Sequence, residues 1–496
     1  MLQNDDRREG VRRLLDDVVR FTAIAGTQPL RPYQAEAARA VVESVRAGRG
    51  DVITVMMARQ MGKNQTSAAL EHYLLNLFAG RGGQIVKAAP TFAPQLITSK
   101  QRLERELTSP LSSKRWKPER GYALRLGDAR ILFFSSHPTS NVVGATADIL
   151  LEIDEAQDVD GDKYRRDFRP MAATANATTV LYGTAWTEDC LLERQRRENV
   201  ERQARLGRRL HFEYDWTHLA SLSPAYRRFV EGEIARLGAD HPIVSTQYRL
   251  QPLAGLGRLF SPAQQALLRG RHDRRSAPAS GEQYVAGVDI AGEDAAGADG
   301  ALRALKPRRD STVVTIGRVR YDDDREPVVE VVEHQRWTGH DHKTQLAALR
   351  HLLRDVWDCR RVAVDATGIG AGIASWLASE MGAAIEQVVF TAPLKSRLAY
   401  TLLGMVNTGR LRLYVPDSSA EARDCWAEVA AARYETRAGE QITFYVPIEE
   451  GHDDFVISLA LCAHAASSML PPAAHAVVSP RHVFYGDETA PVRLRT

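Results

Sequence analysis

Residues 58–66 read "ARQMGKNQT", and this stretch decides how the N-terminal half of the chain is interpreted. It follows the apolar run "DVITVMM" (51–57) and precedes "TSAALEHYLLNLF" (66–78), which has the pattern of a helix. A Gly-Lys pair between a strand and a helix is typical of a phosphate-binding loop, whose usual pattern is G-x-x-x-x-G-K-[ST]. Here Met57 stands at the first glycine and Asn64 at the hydroxyl position. The stretch therefore predicts a nucleotide site with a deviant loop.

In such loops the backbone N–H groups point at the phosphates, and the lysine reaches the β- and γ-phosphates. Asn64 is a poorer direct Mg²⁺ ligand than a hydroxyl, although its amide can bond to a metal-bound water or a phosphate. Thr66 could replace the missing hydroxyl only in a shifted register. The loop residues predicted to bind ATP are Arg59, Gln60, Met61, Gly62, Lys63 and Asn64.

A second motif, "ILLEIDE" (149–155), is an apolar run that ends in two acids. A parallel strand of this kind would place Asp154 beside the phosphate loop to hold Mg²⁺, with Glu155 positioned to polarise the attacking water. Gln34 precedes a helix, where its amide could read adenine or simply mark the helix start. The run "TTVLYGTAW" (178–186) is predicted to contain a strand that ends at Gly183-Thr184, where the Thr184 hydroxyl could sense the γ-phosphate or simply begin a turn.

Up to about residue 250, short apolar runs alternate with helical patterns, which predicts an α/β domain with a mostly parallel sheet. The predicted strands of this domain are "DVITVMM", "GQIVKAAP", "ARILFFSS", "ADILLEID" and "TTVLYGTAW".

The 496 residues exceed one ordinary core, and the balance of 44% hydrophobic and 26% charged residues is typical of a soluble globular protein. The four cysteines form no C-x-x-C motif, so neither a zinc site nor a disulfide framework is indicated. The polar N-terminus is not a signal peptide, and no apolar run reaches the length of a membrane span.

The C-terminal half has a different pattern. Three consecutive strand-like runs are followed by a helix near 342–356 and then by the strand "RVAVDATG" (361–368). This β-β-β-α-β order opens a ribonuclease H-like fold. We predict an ATPase domain over 1–255, a linker over 256–282, a ribonuclease H-like nuclease domain over 283–475 and a flexible tail over 476–496. Residues 292–309 are expected to form a flexible insertion.

Four aspartates of this half are candidate ligands for two nuclease metals. Asp289 and Asp365 end apolar strands, and Asp453 and Asp454 open the helical run "DDFVISLALCAH" (453–464). A carboxylate on a buried strand is costly unless it is paired or metal-bound, and carboxylates are the ligands that Mg²⁺ and Mn²⁺ prefer. Taken singly, each aspartate could instead be a turn residue or a helix cap.

These motifs together resemble a known family. "RQMGKN" (59–64), "VVGATADILLEIDEAQDV" (142–159) and "YGTAW" (182–186) resemble the ATPase half of the large terminase subunit of tailed double-stranded DNA bacteriophages. Phosphate loops of that family often begin with arginine and lack the first glycine. The likeness covers about residues 28–190 and, through the nuclease acids, about 283–470.

The resemblance implies roles for individual residues. Arg59 would lie at the γ-phosphate as a catalytic residue, in cis or from a neighbouring subunit. Thr184 would lie in the motif that couples hydrolysis to DNA movement, and Gln34 would match the adenine-reading motif. Asp289, Asp365 and Asp454 would hold the nuclease metals, with Asp453 assisting or substituting for Asp454. In the segment 391–413, Lys395 and Arg397 would contact DNA.

The implied function is a phage DNA-packaging motor that uses ATP and Mg²⁺ or Mn²⁺. It would translocate double-stranded DNA into a procapsid and cut concatemeric DNA. Its partners would be the DNA, the small terminase subunit and the portal protein, and no membrane. We expect a homo-oligomeric ring when packaging, with a monomer as the alternative for the free protein, in the cytoplasm of the bacterial host.

Two other functions are compatible with the same motifs. A helicase-nuclease of DNA repair would need a second RecA-like domain, and only one nucleotide domain precedes the predicted nuclease. A non-catalytic structural component with a decayed nuclease half would have no reason to keep the four aspartates. Strand separation on forked DNA tests the first alternative, and Mn²⁺-dependent nicking of plasmid DNA tests the second.

Overall fold

The structure of the protein is a computed structural model that describes residues 9–142, 144–291, 311–368 and 370–469. It contains an eight-stranded, a six-stranded and a three-stranded sheet. The predicted insertion at 292–309 and the predicted tail at 476–496 lie outside the described residues. Among the described helices, none combines the length and the apolar character needed to cross a bilayer.

The N-terminal half builds the eight-stranded sheet and its helices. Its strands are β1 (Val52–Met57), β2 (Gly83–Ala89), β3 (Trp116–Glu119), β4 (Ala123–Leu126), β5 (Ala129–Ser135), β6 (Leu150–Ile153), β7 (Thr178–Gly183) and β8 (His211–Tyr214). Its α-helices are α1 (Val18–Ala25), α2 (Pro32–Arg46), α3 (Lys63–Phe78), α4 (Ile97–Glu106), α5 (Gly161–Lys163), α6 (Leu191–Leu206), α7 (Trp216–Ala220) and α8 (Pro224–Leu237). Short 3₁₀ or π turns cover Phe92–Leu96, Ala156–Asp158, Tyr164–Phe168, Arg169–Ala172 and Val244–Tyr248.

The strand order of this sheet is β3-β4-β5-β2-β6-β7-β1-β8, and every pairing from β5 to β8 is parallel. Successive side chains of β1 point into different cores, with Val55 in one and Met56 in the other. A strand that is covered on both faces reads as a continuous apolar run, which is why the sequence predicts these strands. Strands β3, β4 and β8 are missing from that prediction because each is only four residues long and does not lie within a longer apolar run.

The C-terminal half follows the predicted β-β-β-α-β order. Its strands are β9 (Leu256–Arg258), β10 (Gln283–Asp289), β11 (Thr312–Tyr321), β12 (Pro327–Trp337), β13 (Arg361–Asp365), β14 (Ile385–Val388), β15 (Leu411–Leu413), β16 (Arg433–Arg437) and β17 (Gln441–Tyr445). Its α-helices are α9 (Pro262–Leu267), α10 (His342–Arg350), α11 (Gly370–Met381), α12 (Ala392–Asn407), α13 (Ala420–Ala431) and α14 (Asp454–Ser467). A π turn covers His351–Val356, and a 3₁₀ turn covers Gly382–Ala384.

In the six-stranded sheet the order is β14-β13-β10-β11-β12-β15. Strands β10, β11 and β12 are antiparallel neighbours, and β13 and β14 continue the sheet parallel to β10. This is the ribonuclease H-like arrangement, so the predicted fold class is confirmed for both halves of the chain.

Helix α14 lies directly against the strand β10. A Cβ atom at Gly287 would stand 2.0 Å from the carbonyl oxygen of Ser458 and 2.3 Å from the amide nitrogen of Cys462. Only glycine permits this backbone-to-backbone approach. The contact sets the position of the helix that begins with Asp454 relative to the strand that ends with Asp289.

The third sheet has the order β17-β16-β9. Its strand β9 lies in the segment 256–282, which the sequence predicts to be a linker, and pairs antiparallel with the hairpin of β16 and β17. The segment also contains helix α9. It is therefore an ordered connection, and the domain bounds around it stay predictions.

Candidate functional site

The phosphate loop leaves the carboxyl end of β1 and enters α3 at Lys63. Gly62 caps the helix with a left-handed φ of 92°. A Cβ atom at this position would stand 2.5 Å from Nε2 of Gln34, so a larger residue would displace the Gln34 side chain, and the left-handed backbone itself favours glycine. Met57 belongs to β1, as expected for a loop that lacks the first glycine of the usual pattern.

Side chains from other elements hold the loop from behind. The Tyr33 hydroxyl donates to the carbonyl of Met61 at 2.8 Å, and the Tyr226 hydroxyl donates to that of Arg59 at 2.7 Å. The amide of Arg59 donates to the carbonyl of Gln247 at 2.8 Å. The first N–H groups of α3 have no partner within the helix and form the anion-binding end of the loop.

Gln34, the predicted adenine reader, contacts the loop itself. Its Nε2 donates to the carbonyls of Met61 at 3.3 Å and Gly62 at 3.2 Å, and its Oε1 accepts from the amide of Arg31 at 2.9 Å. The side chain is buried. In this structure Gln34 braces the phosphate loop, and its role at adenine stays a prediction.

Of the two acids after β6, Glu155 contacts the loop, whereas Asp154 is buried and accepts from the amide of Glu155 at 3.1 Å. Nζ of Lys63 is 3.4 Å from Oε2 of Glu155, which also accepts from Nε2 of Gln157 at 2.8 Å. Burial opposes ionisation of Glu155, but Lys63 and Gln157 together lower the pKa of its carboxyl. Burial raises the pKa of the neighbouring Asp154 carboxyl, against the opposing effect of Lys87.

Asn64 stands where the usual phosphate loop has a hydroxyl, and Thr66 does not replace that hydroxyl. The Thr66 hydroxyl donates to the carbonyl of Gly62 at 3.0 Å, so it is used within the first turn of α3. Oδ1 of Asn64 is buried and has no hydrogen-bond partner. Because an orphaned buried acceptor is costly, this atom fits a ligand that donates a hydrogen bond, such as a water of a hydrated Mg²⁺.

A cavity of about 540 Å³ opens over the loop, which is a usual size for a small-molecule site. Of the predicted site residues, Arg59–Asn64, Glu155 and Thr184 line it. Thr184 is buried and accepts through its hydroxyl from Nε2 of Gln247 at 3.4 Å. Sequence reasoning missed the following lining residues: Gln95, Arg102, Gln157, Asp158, Gln247 and Glu440.

Arg102, on α4, is an unpaired cation of this cavity. Its Nε atom is buried without a hydrogen-bond partner, and no carboxylate of the described residues forms an ion pair with it. A guanidinium that is partly shielded from water and has no ion-pair partner interacts favourably with an anion, so the cavity favours an anionic ligand. No sequence motif marks this arginine, because its distance to the loop depends on how α4 packs.

A buried charge cluster lies beneath the loop. Lys87 on β2 is fully buried, and its Nζ contacts Oε1 of Glu71 at 2.8 Å and Oγ of Ser67 at 2.6 Å. Ser67 in turn donates to Glu152 at 2.9 Å. Burial and the nearby Glu71 raise the pKa of Glu152 well above its ordinary value, which favours the neutral acid. The cluster joins α3, β2 and β6 and was not predicted.

The predicted nuclease acids meet at one edge of the second sheet. Asp289 ends β10 and Asp365 ends β13, and these strands are parallel neighbours with Val288 opposite Val364. Asp454 opens α14 and accepts from the amide of Ser311 at 2.8 Å. The structure therefore brings the acids of two strands and one helix together.

The aspartates of this cluster lie close enough to affect each other's ionisation. Burial, followed by Asp454, Asp365 and Asp453, raises the pKa of Asp289 well above its ordinary value. No three His, Cys, Asp or Glu side chains in the described part of the chain are arranged as a ready-made metal site. Carboxylates that disfavour each other's charge still suit a divalent cation, because a cation would favour their ionised forms.

Glu428 on α13 is an acid near this cluster that the sequence did not reveal. It accepts from the amides of Phe455 at 2.8 Å and Val456 at 3.1 Å, and so caps the start of α14. Burial, with Asp454 nearby, raises its pKa to about 9, although the amide of Val456 opposes the shift. Glu428 and Asp454 both line a cavity of about 420 Å³.

Comparisons with known proteins give one clear result. No protein-family model and no curated protein matches the sequence. The structure is similar to the large terminase from the thermophilic bacteriophage D6E, with a TM-score of 0.52 and 12% identity over 90% of this chain and 100% of that chain. Structures of the D6E protein with ADP and with ATP-γ-S give TM-scores of 0.51 and 0.50, also at 12% identity, over 89% and 88% of this chain and 99% of each of those chains.

The likeness spans both halves of the chain. At this level of identity it establishes the fold, which is that of a large terminase, as the resemblance of the motifs implies.

Proposed function

We propose that this chain is the motor subunit of a phage DNA-packaging machine. It would hydrolyse ATP to translocate double-stranded DNA into a procapsid and would cut concatemeric DNA with a metal-dependent endonuclease. The observation that carries the proposal is the pairing of two sites in one chain with a terminase fold. A phosphate loop with its two acids lies on the first sheet, and an aspartate cluster lies on a ribonuclease H-like sheet.

In the ATPase site, the phosphates would bind the N-terminal N–H groups of α3, the ammonium of Lys63 and the guanidinium of Arg59. Arg102 would add a third positive charge from α4. The lowered pKa of Glu155 keeps its carboxylate ionised, so it can orient and polarise the attacking water. Asp154 and Asn64 would hold the hydrated Mg²⁺, which neutralises charge on the phosphates when it is bound.

In the nuclease site, Asp289, Asp365 and Asp454 would hold Mg²⁺ or Mn²⁺, with Asp453 assisting. Metal ions held by these carboxylates would supply the positive charge that phosphodiester cleavage requires. Burial raises the pKa of Asp365, and hydrogen bonds with Thr367 and the nearby charge of Lys395 oppose the rise. Lys395 thus lies close enough to this edge to contact DNA bound there.

The proposed partners are double-stranded DNA, the small terminase subunit and the portal protein. The active form would be a homo-oligomeric ring in the host cytoplasm. Arg59 is exposed at the cavity, which is compatible with action in cis or on the nucleotide of a neighbouring subunit.

Two substitutions test the assignment of separate sites. Glu155→Gln should lower DNA-stimulated ATP hydrolysis by about a hundredfold or more, because the water loses its polarising carboxylate, and should leave Mn²⁺-dependent plasmid nicking intact. Asp365→Ala should abolish nicking and preserve ATP hydrolysis. Both activities are measured on the full chain.

The surface variants Glu201→Gln and Asp323→Ala are the controls, because both side chains are exposed. They should keep both activities. If one site substitution removed both activities in a chain that unfolds at the wild-type temperature, the proposal of two independent sites would be wrong. Absence of both activities in the wild type would favour the structural component.

A further inference from the structure

A turn from the C-terminal half lies in the cavity of the phosphate loop. The hairpin of β16 and β17 reverses at residues 438–440, and Glu440 lines the same cavity as Lys63 and Arg59. The site that would bind the nucleotide therefore contains a carboxylate from the half of the chain that carries the nuclease acids.

The turn is held by side chains of the N-terminal half. Oε1 of Glu440 accepts from Nε2 of Gln247 at 2.6 Å and from the hydroxyl of Thr184 at 3.4 Å. The amide of Gly439 donates to Oδ1 of Asp158 at 3.2 Å. Thr184 follows β7 and Asp158 lies in the 3₁₀ turn after β6, so the hairpin turn contacts the segments that follow these two strands.

The same hairpin is fixed to the nuclease side. The hydroxyl of Tyr400 on α12 donates to the carbonyl of Glu440 at 2.7 Å, and the amide of Ile442 donates to Oγ of Ser396 at 3.1 Å. From the end of β17 at Tyr445 the chain leads directly to α14 and Asp454. A displacement of the turn would therefore reach the helix that carries a nuclease acid.

The conformation of the turn is unusual for its sequence. Gly439 has a φ of 72° and Glu440 a φ of 57°. A glutamate in the left-handed region is strained, and such strain persists only where surrounding contacts impose it. Loss of the contacts to Gln247 and Thr184 would remove that support.

The negative charge of Glu440 determines which kind of ligand would compete with the docked turn. Burial raises the pKa of Glu440, and Glu155 adds to the effect, whereas Gln247, Lys63 and Arg59 oppose it. The carboxylate thus interacts with the cations to which, under the proposed function, the terminal phosphate binds. Two anions that share one set of cations bind less well together than separately.

We propose that the β16–β17 turn is a nucleotide sensor. A bound nucleoside triphosphate competes with the Glu440 carboxylate and releases the turn, whereas a diphosphate leaves the turn in place. By thermodynamic reciprocity, the docked turn lowers the affinity for the triphosphate, and nucleotide state is linked to the position of the nuclease hairpin. This inference rests on the proposed ATPase function.

The first test is the affinity of the full chain for ATP-γ-S and for ADP, measured by calorimetry with Mg²⁺. Glu440→Gln removes the negative charge and keeps an amide that can bond to Thr184. It should tighten ATP-γ-S binding by about three- to tenfold and change ADP binding much less. The matched control is Glu435→Gln on β16, which makes the same charge change outside the cavity and should alter neither affinity.

The second test is hydrogen exchange of the amides of the turn. In the wild type, ATP-γ-S should speed exchange of a peptide that covers residues 436–442, because the bond from Gly439 to Asp158 is lost, whereas ADP should not. Ligand binding ordinarily slows exchange near a site, so a rise is a specific sign of release.

The outcomes separate the two proposals. If the wild type binds neither nucleotide, the proposed ATPase function and the sensor are both overturned. If it binds both nucleotides but Glu440→Gln weakens ATP-γ-S binding or leaves the ratio of affinities unchanged, the sensor alone is wrong. Slower exchange of the turn with ATP-γ-S also overturns it.

Discussion

Arg102 differs from the paired charged side chains that line the cavity of the phosphate loop, because its guanidinium has no anionic partner among the described residues. Lys63 is paired with Glu155, and Glu440 accepts from Gln247. An unpaired cation in a partly dehydrated cavity interacts more strongly with an arriving phosphate than a surface arginine does. We therefore expect Arg102 to contact an anion that binds in the cavity.

Arg102→Gln should therefore lower kcat for ATP hydrolysis by about a hundredfold, which is typical for the loss of one group that stabilises developing charge. The measurement is steady-state ATP hydrolysis with saturating DNA. Arg105→Gln is the matched control, since Arg105 lies on the same helix and is exposed. Equal rates for the two variants would contradict a role of Arg102 at the phosphates.

The site residues that the sequence predicts are those that stand in local motifs. The phosphate loop and the acids Asp154 and Glu155 are visible because each stands in a local pattern of strand, turn and helix. Glu440 is separated from its partner Thr184 by 256 positions, and no local pattern records that distance. Residues that meet only through packing were missed for this reason.

The contact of helix α14 with strand β10 determines the geometry of the aspartate cluster. The helix touches the strand at Gly287 without an intervening side chain. Because Asp454 begins this helix and Asp289 ends this strand, the spacing of the two acids depends on the backbone contact.

Gly287→Ala should destabilise the protein by about 3 kcal/mol, because its methyl group would overlap the backbone of α14. It should reduce plasmid nicking more than ATP hydrolysis, since the helix that carries Asp454 must shift. Thermal unfolding and the two activities on the purified chain are the measurements.

Gly372→Ala is the control for this substitution. Gly372 lies on the exposed side of α11, and a Cβ atom there would meet nothing within 4 Å. That change should leave nicking unaltered and stabilise the chain by up to about 1 kcal/mol through helix propensity. A Gly287→Ala variant as stable as wild type would show that α14 is free to move.

Elements were predicted well where their environment is uniform. The parallel strands covered on both faces are continuous apolar runs, and α14 is apolar around its whole circumference. Edge strands such as β3 lack that signature because water covers part of them. The sequence predicts a linker where strand β9 lies, because its three residues, "LGR", carry no periodic signal. Only their pairing with β16 makes them a strand.

A buried histidine, His241, joins the N-terminal and C-terminal halves of the chain. Nε2 of His241 donates to the carbonyl of Tyr400 on α12 at 3.0 Å, and its Nδ1 accepts from the amide of Ile243 at 3.2 Å. Burial lowers the pKa of His241 to about 4. The folded protein thus holds this ring neutral at a pH where an unfolded chain would protonate it.

The contribution of His241 to stability is therefore complete above pH 6.5 and is lost as the pH falls from 6.5 towards 4. The loss is at most roughly 3 kcal/mol, from the pKa difference between the two states. His241→Gln, which keeps a donor for Tyr400, should flatten the decline of Tm over this interval. The exposed His351→Gln is the control. A variant with the wild-type pH profile would contradict the assignment.

The charge cluster of Lys87, Glu71 and Glu152 has a consequence for how this protein can evolve. Loss of the lysine alone would leave two acidic side chains in a dry interior without their cation, whereas replacement of all three by apolar side chains of similar volume can be close to neutral. Each intermediate on a path of single changes is less stable than both ends. Descendants of this chain are therefore expected to keep all three residues or to replace all three together.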